Sequence, residues 1–175
     1  MSKGISLGMC VGLDRAAQIA PGYDYLELPV TSALAPMEED ASFAPRAKEL
    51  RRLAPPVGAF NVFAPAQLKL VGPEVDWAAV EGYVQRALAR AGQMGARVVV
   101  VGSGGARAVP EGFSRVEAWH QLVHFFTLCA RYAAQAGVTM AIEPLNHKEC
   151  NILNSYPEAV RMARDEESDE VRVLA

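Results

Sequence analysis

The densest chemistry lies in Met140-Ala-Ile-Glu-Pro-Leu-Asn-His-Lys-Glu-Cys-Asn-Ile-Leu-Asn154. Met140 and Ile142 alternate with Ala141 and Glu143, and Pro144 stops the alternation. The spacing predicts a buried strand that delivers a carboxylate at its C-terminal end. A polar loop follows, with Asn146, His147, Glu149, Asn151 and Asn154. A carboxylate turned into a low-dielectric interior is costly unless donors or a cation compensate it. A divalent ion is the natural partner. Oxygen and imidazole ligands suit an Mg²⁺- or Mn²⁺-like ion, which can polarise a carbonyl as a Lewis acid. The competing reading makes Glu143 a cap or an ion-pair carboxylate at a strand end.

Two earlier polar residues also close β-rich runs, Glu27 and Asn61. Glu27 could instead pair with a neighbouring Lys or Arg. His120-Gln-Leu-Val-His124 resembles a zinc-protease helix, but Gln121 stands where the general-base glutamate is required. These histidines are expected on an outer helix face with Arg131. Gly102-Ser-Gly-Gly105 could cradle a phosphate through backbone N–H groups. Val109-Pro-Glu-Gly112 separates it from the next helical pattern, so close packing of the loop beside a substrate is the favoured reading.

These residues need elements to hold them. Short β-rich runs recur at Ile5–Val11, Tyr23–Leu28, Val57–Phe63, Arg97–Gly102, Val138–Glu143 and Val171–Ala175. Between the later runs lie helical patterns. Asp76 is an N-cap for Trp77, Val80, Val84, Leu88 and Ala91 at helical spacing. Ser114-Arg-Val-Glu117 has capping-box form and precedes an inward stripe of Trp119, Leu122, Val123, Phe126 and Ala130. Ser155-Tyr-Pro-Glu158 opens another helix, and Gly95 and Gly137 suit helix-to-strand turns. Arg46, Lys48, Arg51 and Arg52 read as the solvated face of a helix.

Strands alternating with helices imply parallel pairing, in either a doubly wound sheet or an eight-stranded barrel. In a barrel, Leu26 and Leu28 face the helices while Tyr25 and Glu27 face inward. Val62 faces outward while Ala59, Asn61 and Phe63 face inward. Val138, Met140 and Ile142 face outward, with Thr139, Ala141 and Glu143 inward. Each strand thus brings a polar residue to the interior near its C-terminal end, where barrel enzymes build their sites. The reading is a (βα)8 TIM barrel of the α/β class, present as one domain over residues 1–175 and about five and a half strand–helix units. The acidic run Asp165–Glu170 reads as a solvated loop before a last strand. A complete barrel needs roughly 250 residues, so a partial sequence is expected.

The stretch E-P-L-N-x-x-E-x-N-x-L-N from Glu143 to Asn154 resembles the sugar isomerase and epimerase family with a xylose-isomerase-like barrel. It is closest to the D-tagatose/D-allulose 3-epimerase branch and its sugar-phosphate relatives. Ala59-Phe-Asn-Val-Phe-Ala-Pro65, Leu68-Lys-Leu-Val-Gly-Pro73 and Val100-Val-Gly-Ser-Gly-Gly105 are similar to that group as well. The resemblance implies that Glu143 is a metal ligand and one of two acid/base carboxylates. It also implies that Glu149 contacts substrate hydroxyls; Glu27 and Asn61, from their strand ends, and Asn146, from the polar loop, are further substrate-binding candidates. The other ligands (an Asp, a His and a Glu after the sixth, seventh and eighth strands) are expected beyond Ala175. The cofactor implied is Mn²⁺, Mg²⁺ or Co²⁺. The reaction implied is proton transfer next to a sugar or sugar-phosphate carbonyl through a cis-enediolate. Family members often carry Arg-Tyr or Arg-Phe where this chain has His147-Lys148, so the substrate is left open.

Composition narrows the alternatives. The net charge of −3 and a pI near 5.6 argue against nucleic acid as main partner. Cys10, Cys129 and Cys150 form neither a CxxC nor an even set, which fits a reducing, cytoplasmic setting. No apolar run has the length of a membrane span. A zinc-dependent AP-endonuclease-like nuclease of the same barrel type ranks low, because it needs more histidines than the three present. A non-catalytic fragment or binding module of this fold is the remaining alternative, and homo-oligomerisation is left open.

Overall fold

The computed structural model describes residues 4–174. Six short strands form one parallel sheet: β1 (Gly8–Cys10), β2 (Tyr25–Pro29), β3 (Val57–Asn61), β4 (Val98–Val101), β5 (Thr139–Ile142) and β6 (Val171–Val173). They lie side by side in chain order. That order decides between the two parallel architectures. A doubly wound sheet reverses its direction of growth at a switch point, whereas each strand here is added beyond the last. With right-handed crossovers the connecting helices then all fall on one face. The result is the βα succession of a TIM barrel, with β1 and β6 as the edges. Ala175, assigned to the last strand, lies outside the described residues.

The helices are α1 (Asp40–Leu50), α2 (Trp77–Gln93), the single-turn α3 (Gly104–Arg107), α4 (Arg115–Ala136) and α5 (Tyr156–Glu166). Their starts follow from short polar side chains. Asp76 accepts from the Ala79 N–H at 3.0 Å, and Ser114 accepts from the Glu117 N–H. Ser155 and Glu158 form a reciprocal capping box at α5. Gly95 and Gly137 adopt positive φ at the turns that end α2 and α4. No helix among the described residues is long and apolar enough to cross a membrane.

The core lies between the sheet and α2, α4 and α5. Val80, Val84 and Leu88 of α2 are wholly buried, each worth roughly 1.5–3 kcal/mol relative to exposure. On α4 the buried stripe is Ala118, Leu122, Phe125, Phe126, Cys129 and Ala133. Trp119 and Val123, expected inside it, are only half-buried. The Trp119 indole N–H instead donates to Asp165 Oδ2 on α5 at 2.8 Å.

Three further expectations need correction. The first strand begins late, at Gly8, with Ile5 and Leu7 exposed before it. The alternation after β3 is inverted: Val62 is 47% exposed and Phe63 fully buried. Val62 takes a left-handed backbone (φ 45°), which breaks the two-residue period. Phe63 is thereby turned toward the helices, onto the rings of Tyr83 and Phe125. Finally, Asp165 and Glu166 belong to α5 rather than to a solvated loop. The Glu166 side chain is buried and accepts from the Ser168 amide and hydroxyl at 3.1 and 2.6 Å.

Candidate active site

β4 and β5 pair residue for residue from Val98↔Thr139 to Val101↔Ile142. The Glu143 N–H then donates to the Val101 carbonyl at 3.1 Å, so the ladder holds Glu143 one step beyond the strand. Its carboxylate lies against Gly102, where a Cβ would sit 2.3 Å from Glu143 Oε2. The absent side chain is what makes room for this carboxylate. Asn61, Val62, Gly102, Glu143, Leu145 and Glu149 are among the residues lining a cleft of about 570 Å³ at the C-terminal edge of the sheet.

The wall opposite Glu143 is tied across three strands. Asn61 Nδ2 donates to Glu27 Oε1 at 2.8 Å and to Cys10 Sγ at 3.0 Å. The partner of Glu27 is therefore an amide on the next strand, and neither Lys nor Arg pairs with it among the described residues. Burial, followed by the neighbouring Glu27 charge, pushes the Cys10 thiol above its ordinary range.

The loop after Glu143 is held by its own asparagines. Asn154 Nδ2 donates to the carbonyls of Leu145 and Cys150, both at 2.8 Å. Asn151 makes a two-way amide pair with the Val109 backbone at 2.8 and 2.9 Å. Asn146 accepts from the Lys148 N–H at 2.9 Å and donates to Glu149. Asn61, Glu143 and Glu149 thus gather around one opening, with Glu27 joined to it through Asn61. Asn146 stands on its exposed rim and orients Glu149, while His120, His124 and His147 are all exposed.

The glycine segment corrects an expectation. A single helical turn, α3, follows Ser103 at once where only a loop was expected, while Val109–Gly112 does separate the segment from α4 as expected. Ser103 is left-handed (φ 44°), and its hydroxyl accepts from the Ala64 N–H at 2.9 Å. A Cβ on Gly104 would lie 2.5 Å from the Glu149 carbonyl oxygen. The tight turn brings Arg107 beneath the cleft, fully buried. Sequence reasoning passed over both Arg107 and Cys10. The available signal was the arginine four residues into a glycine turn, in a segment otherwise without charge.

Burial raises the Glu143 carboxyl above its ordinary range; the Arg107 charge opposes this, and Glu27 and Glu149 reinforce it. No hydrogen-bond donor reaches the Glu143 carboxylate among the described residues, and no three His, Cys, Asp or Glu side chains cluster as a metal centre there. One partly desolvated carboxylate without a protein donor, flanked by two more acidic groups, fits a single ligand of a divalent cation.

The fold recurs in known structures. A D-psicose 3-epimerase crystallised with D-fructose superposes with a TM-score of 0.76 at 16% identity, over 97% of this chain and 62% of that one. An L-ribulose 3-epimerase gives 0.74 at 17%, over 96% and 59%. The zinc-bound IOLI protein gives 0.65 at 18%, over 95% and 61%. This chain therefore spans about three-fifths of the length of these structures. No curated protein matches it. The profile of the family described as xylose isomerase-like TIM barrel matches residues 13–175, nearly the whole sequence. With the parallel strands in chain order and Glu143 at the end of the fifth, the chain belongs to the xylose isomerase-like TIM barrel family.

Proposed function

We propose that this chain is part of a divalent-metal-dependent sugar or sugar-phosphate isomerase or epimerase, in which Glu143 moves a proton next to a carbonyl. The observation that carries the reading is the Glu143 carboxylate, which faces the cleft without a protein donor. The family match and the epimerase folds it resembles support the same chemistry.

A partly desolvated carboxylate is a stronger proton acceptor than one in water, since burial lifts its pKa toward the working range. Glu143 takes the proton from the carbon beside the substrate carbonyl, and the C–H electron pair moves into an enediolate. A second carboxylate, on the other side of the substrate, gives a proton to the opposite face in an epimerisation while Glu143 keeps the one it took; delivery of a proton to the neighbouring carbon isomerises the substrate instead. A divalent ion held by Glu143 would supply Lewis-acid polarisation of the carbonyl. Asn61 and Glu149, on two sides of the cleft, hold hydroxyls; Glu27 keeps the Asn61 amide in place, and Asn146 does the same for Glu149. The open cleft, with Asn61, Glu143 and Glu149 as polar groups among apolar walls, suits a small polyhydroxylated substrate.

Assay of the protein at its full native length, with Mn²⁺ and a panel of ketoses and their phosphates, tests this. Turnover is expected for at least one sugar, and Glu143→Gln should lower it by roughly 10²- to 10⁴-fold. Activity that survives this substitution would remove Glu143 from the mechanism.

A further inference from the structure

We infer that Arg107 is a positioning residue for Glu143, and that the glycine turn Gly102–Gly105 exists to seat this arginine rather than to bind an anion. The inference rests on the function proposed above for Glu143.

Arg107 is 0% exposed, and a guanidinium that deep needs acceptors for its charge-bearing donors; Nη1 and Nη2 find them, while Nε is left without a partner among the described residues. Nη1 donates to the Val101 carbonyl at 3.1 Å; Nη2 donates to the Glu143 carbonyl at 2.9 Å and to Leu153 at 3.3 Å. These acceptors end β4, follow β5 and close the loop that carries Glu149. One planar group thus ties the main chain of the reactive glutamate to the strand beside it and to the loop returning past it. No carboxylate pairs with Arg107 directly among the described residues. Its charge is left to act on the Cys150 thiol, which it touches, and on the Glu143 carboxylate, which it attracts.

The turn has the geometry this needs. Gly102 leaves space for the Glu143 carboxylate, Gly104 admits the Glu149 carbonyl, and Gly105 lets the chain pass Ala66, where a Cβ would approach to 2.9 Å. Ser103 is anchored to the Ala64 amide, so its hydroxyl is already engaged as an acceptor. After one helical turn the chain arrives at Arg107. A lysine there would keep the charge but lose the planar fork that spans three carbonyls.

The test compares Arg107→Lys and Arg107→Met with Arg90→Met, which removes a buried arginine elsewhere, in the protein at its full native length. Orientation of groups around a metal ligand is commonly worth about 10- to 100-fold in affinity or activity. Both Arg107 variants should lose Mn²⁺ affinity by calorimetry to that extent. Their kcat should fall in parallel while KM changes little. Amide exchange across residues 143–154 should quicken in Arg107→Lys. Arg90→Met should lower thermal stability and leave kcat per folded molecule and Mn²⁺ affinity unchanged. Wild-type exchange across 143–154 in Arg107→Lys overturns the inference, as does wild-type kcat and Mn²⁺ affinity in either folded Arg107 variant. If Arg107→Met does not fold, Arg107→Lys decides by the same readings. A wild-type protein that binds no Mn²⁺ and turns over no ketose sinks the proposed function instead, and the exchange measurement still judges Arg107.

Discussion

Two arginines are buried among the described residues, each fastening a loop at the C-terminal edge of the sheet, and they do so differently. Arg90 of α2 reaches the loop after β2. It donates to the carbonyls of Leu34 (2.9 Å), Ala35 (2.7 Å) and Glu38 (2.8 Å), and to Asp40 Oδ1 (2.8 Å). Its guanidinium also lies over the Phe43 ring at 4.7 Å. Arg107 also holds three carbonyls but pairs with no carboxylate among the described residues. The difference teaches what a buried charge is for. Where a carboxylate neutralises it, the arginine is a fastening. Where none does, its charge is left to the Cys150 thiol beside it and to the Glu143 carboxylate in the cleft.

The comparison can be broken or sharpened by substitution. The largest expected effect is at the fastening: Arg90→Met strands three carbonyls and should cost on the order of 3 kcal/mol in urea denaturation. If the loss is under about 1 kcal/mol, Arg90 is not the clamp its hydrogen bonds describe. Next is Gly104→Ala, whose Cβ would meet the Glu149 carbonyl oxygen at 2.5 Å. Backbone yields poorly, so a loss of about 2 kcal/mol is expected, again read by denaturation. Gly102→Ala meets only the mobile end of the Glu143 side chain, at 2.3 Å. It should leave stability nearly unchanged, yet lower turnover by roughly 10-fold or more by displacing the carboxylate. Equal loss of stability in both glycine variants would erase the distinction between them.

The smallest effect concerns pH. The Glu143 carboxyl sits above its ordinary range in the folded state, chiefly through burial. The folded protein therefore binds a proton that the unfolded chain has already released. Metal-free stability should fall as pH rises from the ordinary glutamate range through this raised value. Glu143→Gln should remove that slope, so the variant unfolds at a slightly higher temperature than the wild type at neutral pH. A wild-type stability that rises across the same window would contradict the assignment.

Local rules made much of this molecule legible. The six strands, the caps at Asp76, Ser114 and Ser155, and the delivery of Glu27, Asn61 and Glu143 to one edge follow from periodicity and short-range polar chemistry. Legibility failed wherever a single backbone angle reset the pattern. Val62 with φ 45° turned Phe63 outward, and Ser103 with φ 44° started α3 where a loop was expected. Glu166 looked solvated in an acidic run, yet it folds back onto Ser168.

The sequence by itself determined the element order and the place of Glu143 at the end of the fifth strand, because alternation and capping act over a few neighbouring residues. Only the tertiary structure decided that Asn61 bridges Glu27 and Cys10, and that Arg107 lies beneath Glu143. Those pairs stand 34, 51 and 36 residues apart. Nothing local can specify such contacts; the parallel register of neighbouring strands creates them.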